Sequence, residues 1–277
     1  MLFYTEFDRH FGDIIGIKKK VDNTIYTFDI ETTSYLLLDG EVLPVTKYLE
    51  LSKEEQKRCE FRSCMYIWMF GINDTIYYGR TWSELKTFLI RLHYYNPAKK
   101  IIFVHNLGFE FQYIKSIFKF SQVVARKAHK VMKCVIDDHN IEMRCSYLMS
   151  NCALKQLPKV FMLPVEKKVG DLDYALIRTP KTALTEKELG YCEYDCLVVY
   201  YYIKRELETY KRVDKIPLTS TGHVRRELRE ITNLDWNYKK EVKKSINTNP
   251  HIFNLLQDAF MGGYTHGCWI YTRRYST

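Results

Sequence analysis

The sequence predicts a mixed α/β domain reaching to about residue 210, on two observations. Short apolar runs rich in β-formers punctuate the first two thirds: TIYTFDI (24–30), SCMYIWMFGI (63–72), DTIYYGR (74–80), KIIFVH (100–105), and the pair KVMKCVID (130–137) and IEMRCS (141–146) around the turn DHN. Helical stretches alternate with them, and two open on a capping box: Thr81 with Glu84 before LKTFLIRLHYY, and Thr185 with Glu188 before LGYCEYDCLVVYYYIKRELETYKR. In such a box the Thr hydroxyl accepts a bond from the third helical amide while the Glu carboxylate reaches back to the first, so the spacing itself marks a helix start. Beyond this domain the texture becomes polar and basic, punctuated by Pro217 and Pro250. The expected division is a domain over 1–212 and a linker region over 213–277.

Composition narrows the class of function. A chain of 277 residues, 46% hydrophobic and 27% charged, can bury a sizeable core. No uninterrupted apolar run is long enough to span a bilayer, so no membrane partner is expected. The first residues, MLFYTEFDRHFGDIIG, lack the basic-then-apolar layout of a secretory signal, and a cytoplasmic location is the expectation. Cys59, Cys64, Cys134, Cys145, Cys152, Cys192, Cys196 and Cys268 form no CxxC pair and no zinc-spaced cluster, which favours buried, reduced thiols. A net charge of +9 points to a polyanionic partner, with basic clusters at 17–20, 125–130, 224–226 and 238–244. The 22 Tyr and 15 Phe supply rings able to stack on unpaired bases.

Against that background, the acidic residues in apolar surroundings stand out. In YTFDIETTS (26–34), Asp29 and Glu31 fall two apart in a strand-like run and share one face. Like charges so placed repel unless a cation lies between them. In IIFVHNLGFEFQYI (101–114) an apolar strand runs into His105 and Asn106, then a turn, then Glu110 in the first turn of a helix, where the helix dipole also favours an acid. In YCEYD, Tyr191 and Asp195 are one helical turn apart on a common face. Four carboxylates from three elements of one domain suit hard divalent cations such as Mg²⁺ or Mn²⁺.

In that order, FDIET, HNLGFEF and YCEYD resemble the three exonuclease motifs of family B DNA polymerases, in particular the protein-primed branch of phages and linear plasmids. SYLMSNCALKQL, KKVGDLDYALIRTP and LTSTGHVRREL resemble later segments of the same region, and AFMGGYTH resembles its YxGG motif with Phe260 for Tyr. The resemblance implies a ribonuclease-H-like (DEDDy) 3′→5′ exonuclease fold, a mixed sheet with flanking helices, followed by a C-terminal linker leading to a missing polymerase domain. By position it implies two divalent ions, Mg or Mn, held by Asp29, Glu31, Glu110 and Asp195, with Tyr191 orienting the attacking water and Lys168 as a catalytic cation. Thr32, His105, Asn106, Phe109 and Tyr113 match positions that grip the 3′-terminal nucleotides, Ser146 matches a position of the single-strand channel, and Gly262 and Gly263 are further implied DNA contacts. Single-stranded DNA is the implied partner, with a separate palm chain and a terminal protein as further ones, in a host cytoplasm if the gene is a phage's.

Three departures qualify the pattern. Glu110 stands where the family has Asp, and Tyr147 replaces a usual Leu beside Ser146. Val169 occupies the place of the family's Lys before the Gly, leaving Lys168 one residue earlier, so either a backbone shift restores it or its role has weakened. No DxxSLYP or DTD motif follows, and the expectation is an N-terminal portion whose palm ligands lie elsewhere. Three readings result: a proofreading exonuclease, a weakly active or inactive single-strand-binding subunit of a split polymerase, and an exonuclease acting on RNA.

Overall fold

A computed structural model of the chain describes residues 1–8, 20–165, 176–234, 236–245, 249–252 and 254–255. Among them nine strands join in one mixed sheet: β1 (Leu2–Phe3), β2 (Tyr26–Leu38), β3 (Glu41–Pro44), β4 (Glu60–Ile72), β5 (Thr75–Gly79), β6 (Lys100–Val104), β7 (Phe120–Ala125), β8 (Val131–Ile136) and β9 (Ile141–Cys145). Their order is β1-β5-β4-β2-β6-β9-β8-β7, with β3 hydrogen-bonded to the outer half of β2. The helices are α1 (Lys53–Arg58), α2 (Trp82–Tyr95), α3 (Leu107–Ile114), α4 (Ser146–Ser150), α5 (Leu157–Val160), α6 (Glu186–Tyr210), α7 (Ser220–Leu234) and α8 (Trp236–Ser245). The mixed α/β architecture expected from the sequence is therefore present, with every expected strand and both capped helices in place. β3, β7 and α1 were not legible: β3 is exposed or half-buried, and β7 is an exposed edge strand with no clean alternation. The chain divides into two compact units, Met1–Gly222 and His223–Thr277. The second carries most of α7 and all of α8. The described cysteines are free thiols, and no helix among the described residues is long and apolar enough to cross a membrane.

Strand alternation assigns each sheet face its cover. Tyr26, Phe28 and Ile30 point to one core together with Trp68, Phe70, Ile102 and Val104. α2 closes that side with Leu85, Phe88, Leu89 and Leu92, whose spacing is that of one helical face. Phe88 is its centre, with ring centroids 4.9 Å from Phe7, 5.0 Å from Phe70 and 5.6 Å from Trp68 and Tyr77. Both capping boxes form: Thr81 with Glu84 at α2, and Thr185 with Glu188 at α6. On the opposite face Ile25, Ile101 and Phe103 meet Tyr194, Val198 and Tyr202 of α6, while Ile67, Met69 and Ile76 meet Cys192 and Cys196. The odd-numbered residues of β2 thus look toward α6.

Two local features shape that face. The β2–β4 register slips between Glu31 and Thr32, where Glu31 is opposite Ile67 but Thr32 is opposite Met65. Tyr66 is the extra residue, and the bulge turns both Tyr66 and Ile67 toward α6. Parallel pairing of β2 with β6 covers only Tyr26–Phe28 against Ile102–Val104, after which the two chains separate. A crevice beyond the carboxyl ends of diverging parallel strands is where open α/β sheets place their sites.

At the far end of α6, Arg144 of β9 holds the exit of the helix. Its Nε donates to Glu142 at 2.6 Å, and its Nη1 donates to the carbonyls of Val213 and Ile216 at 3.2 and 3.1 Å. The start of α3 is fixed by close approach. A Cβ on Gly108 would lie 2.1 Å from the His129 carbonyl oxygen, so the β7–β8 turn packs on the helix backbone directly. Gly108→Ala is therefore expected to destabilise the fold by about 1–3 kcal/mol, the usual cost of overpacking. Urea unfolding would read the loss as a lower midpoint with unchanged slope.

Candidate metal centre

Asp29 and Glu31 sit on β2 where it leaves β6, both turned toward α6. Their backbone belongs to the sheet centre, so neither can swing away without breaking ladder bonds to β4. Asp195 comes from α6, packed across them. One carboxylate oxygen from each of Asp29, Glu31 and Asp195 lies within 4.8 Å of the others. Glu110, in the first turn of α3, is 3% exposed, and its Oε2 has no hydrogen-bond partner. The structure therefore draws together three of the four acids that sequence reasoning selected, and the fourth, Glu110, is near enough to interact electrostatically with Asp29 and Glu31.

Burial and mutual repulsion push these groups toward their neutral forms. The Asp29 carboxyl is raised well above its ordinary range, first by desolvation and then by Glu31, Glu110 and Asp195. Glu31 is pushed up to about 8 by burial and by Asp195, partly offset by Arg178. Glu110 is raised by burial and by Glu31, against a hydrogen bond from backbone. Desolvated carboxylates that crowd one another, one with an unsatisfied oxygen, are matched by a divalent cation, and the three ligand atoms within 4.8 Å of one another are all carboxylate oxygens. The donor set fits Mg²⁺ or Mn²⁺.

Tyr191 is half-buried one turn before Asp195 on α6. On the other side of the acids, the turn after β6 carries the residues matched to DNA contacts. Asn106 is exposed in the left-handed conformation (φ 65°), a geometry Asn tolerates and most residues do not. His105 Nδ1 lies 3.1 Å from the Ser146 hydroxyl, and its ring meets Tyr147 edge-on at 5.7 Å. Burial lowers the His105 pKa to about 4, so the ring is neutral at physiological pH. Ser146 is itself fully buried behind His105. Phe109 is 42% exposed, its ring 5.3 Å from that of Tyr113, whose hydroxyl lies 2.7 Å from the Ser63 hydroxyl. Thr32 is half-buried at the bulge. Lys168, Gly262 and Gly263 lie outside the described residues.

Sequence reasoning missed Arg178 and Thr33. Arg178 is 4% exposed, yet lies in an irregular stretch that no periodicity marks. Its Nε and Nη2 donate to Glu188 Oε1 at 2.9 and 2.6 Å, and its guanidinium carbon sits 5.8 Å from the Tyr66 ring centroid. Thr33, the next β2 residue on the site face beyond Glu31, accepts the Arg178 backbone N–H at 3.4 Å.

No family model and no curated protein matches this chain. Solved structures similar to it include three of one DNA polymerase. Two are of Phi29 DNA polymerase in its ternary complex with primer-template DNA and incoming nucleotides (TM-score 0.54, 14% identity) and in its post-translocation binary complex with primer-template DNA (0.53, 14%), each covering 76% of this chain and 35% of the polymerase. The orthorhombic crystal form of the same polymerase gives 0.53 at 13% identity, over 76% of this chain and 34% of that one. At such identity the likeness is one of fold. The chain spans about a third of the length of those polymerases.

The raised carboxylates set a sign for stability. Between the ordinary carboxylate range and about 8 for Glu31, the folded chain keeps protons that the unfolded chain has released, so metal-free stability falls as pH rises through that window. Thermal melting in a chelator should give a lower Tm near pH 8.5 than near pH 5.5 from this source. Mg²⁺ or Mn²⁺, which requires the ionised forms, should raise Tm more at the higher pH. Equal metal-induced shifts at both pH values would count against the cluster as the binding site.

Proposed function

We propose that this chain is a metal-dependent 3′→5′ exonuclease acting on single-stranded DNA ends, a proofreading domain of the ribonuclease-H-like DEDDy kind. The observation that carries it is the convergence of Asp29, Glu31 and Asp195 within 4.8 Å beside the buried, unsatisfied Glu110. Support comes from the fold shared with part of Phi29 DNA polymerase and from the order of the motifs along the chain. In this reading residues 1–212 are the exonuclease domain, and residues 213–277 lead to a polymerase region supplied elsewhere. A palm-bearing chain and a terminal protein are the partners that follow from it.

The residues divide the chemistry among themselves. Asp29, Glu31 and Asp195 would hold one cation, and Glu110 would contribute to a second. Bound there, two Mg²⁺ or Mn²⁺ ions supply activation of the attacking water and charge stabilisation on the scissile phosphate. Tyr191 orients the water from one turn nearer the start of α6, and Lys168 adds positive charge. The exposed Phe109 and its neighbour Tyr113 give a ring surface for an unpaired base. Asn106 offers its amide from the left-handed turn, neutral His105 lies beside it, and Thr32 offers a hydroxyl to sugar or phosphate. Gly262 and Gly263 of the YxGG-like motif are further DNA contacts in this reading. The phosphodiester breaks at its 3′ side, releasing a nucleoside monophosphate and leaving a new 3′ hydroxyl.

A 5′-labelled single strand incubated with the protein and Mg²⁺ or Mn²⁺ should shorten one nucleotide at a time. Asp29→Ala with Glu31→Ala should slow this on the order of 10³-fold or more, equivalent to about 4 kcal/mol of lost transition-state stabilisation. Salt-sensitive binding of the strand without any metal-dependent shortening would instead support a binding subunit.

A further inference from the structure

The positioning of α6 against β2 depends on a linkage that the four carboxylates do not explain. Asp195 is the triad member that does not belong to the sheet, so its distance to Asp29 and Glu31 is set by how the first half of α6 is seated. Tyr191 shares that dependence. The start of the helix is tied down through Glu188, three residues before Tyr191. Glu188 Oε2 accepts the Thr185 backbone N–H and hydroxyl at 2.7 and 2.9 Å, closing the capping box. Its other oxygen, Oε1, accepts both bonds from Arg178. Arg178 in turn reaches β2 through its backbone bond to Thr33 and covers the ring of Tyr66, the residue that the β-bulge turns toward this face.

The segment bearing Arg178 is held from the opposite side as well. Arg80 donates from Nε to the Tyr66 carbonyl at 2.6 Å, and from Nη2 to the carbonyls of Thr179 and Thr182 at 3.0 and 2.7 Å. Arg178 is thus fixed to β2 through its backbone N–H, and to β4 and the first turn of α6 through its guanidinium. A buried Arg gripping a fully used carboxylate has little freedom, and a Lys could not reproduce two donors fixed in one plane together with the contact over the Tyr66 ring.

We propose that Arg178 is a positioning residue for the metal centre: through Glu188 it sets the seat of α6, and thereby the placement of Asp195 and Tyr191 relative to Asp29 and Glu31. The inference rests on the metal-dependent reading above. Groups that orient metal ligands from outside the coordination shell commonly change affinity by 10- to 100-fold when lost.

The test measures Mn²⁺ binding directly, by electron paramagnetic resonance of free Mn²⁺ at low temperature, on the full chain and on Arg178→Lys, Arg178→Met and Glu188→Gln. Chelator-treated samples of each are melted in parallel. The expected result is Mn²⁺ affinity weakened roughly 10-fold or more in Arg178→Lys and Glu188→Gln, at a temperature where both remain folded. A purely structural role would lower Tm in chelator and leave the affinity of the folded protein at the wild-type value, and that result would overturn the inference. If Arg178→Met does not fold, the two milder variants decide. Wild-type protein that binds no Mn²⁺, or binds it equally after Asp29→Ala with Glu31→Ala, would defeat the functional reading itself. Wild-type binding with unaltered Arg178 and Glu188 variants would defeat this inference alone.

Discussion

Everything about this domain turns on the repulsion among carboxylates brought together inside the protein. Asp29, Glu31 and Asp195 share one small volume, and Glu110 stands close enough to raise Asp29. An arrangement of this kind costs folding free energy in the absence of a counter-charge. It persists because each acid is carried by an element whose position is determined by apolar packing elsewhere. β2 is ladder-bonded on both sides, α3 is seated on the β7–β8 turn, and α6 buries Val198, Val199 and Ile203 well beyond the site. Packing free energy spread over these surfaces opposes a local electrostatic penalty. Such a site is preorganised for cations before any arrive.

The polar groups around the acids are graded in how tightly they are held. Arg178, Glu188 and Thr33 are locked in mutual bonds. His105 and Ser146 are paired and largely withdrawn from water. Phe109 and Asn106 remain at the surface. That gradient separates the groups that shape the centre from those available to a ligand. It also gives His105 a role that does not depend on titration, because its ring stays neutral across the physiological range.

Much of this was readable from the residues. Asp29 and Glu31 announce a shared strand face by their spacing of two, and the Thr81 and Thr185 boxes mark two helix starts, because both signals depend only on near neighbours in sequence. Glu110 was found from the passage of an apolar strand into a turn and a helix. Arg178 was not, since its importance comes from contacts with Tyr66 and Glu188 across an irregular stretch, and a single Arg in ALIRTP carries no periodic signal. The β-bulge was equally hidden: nothing in SCMYIWMFGI distinguishes Tyr66 from its neighbours, and its displacement is a property of pairing with β2. β7 escaped notice because an edge strand with mostly exposed residues lacks the alternation that half-burial imposes. In the polar stretch after 213, Val224, Leu228 and Ile231 do carry helical spacing, a signal outweighed by the surrounding charge.

The bulge at Glu31 and Thr32 has a consequence for how the domain can vary. Beyond it β2 continues as an arm with β3, turning at Asp39 and Gly40, both with positive φ, and returning through α1 to β4. The clustered carboxylates of β2 lie before the irregularity, and the arm from Ser34 to Arg62 lies after it. Residues 39–42 at the tip of that arm are exposed, so a change of length there displaces no buried group. The arm is accordingly a permissive site for insertion, a handle on which a tag or a recognition element could be grafted while the chemistry beneath is left undisturbed.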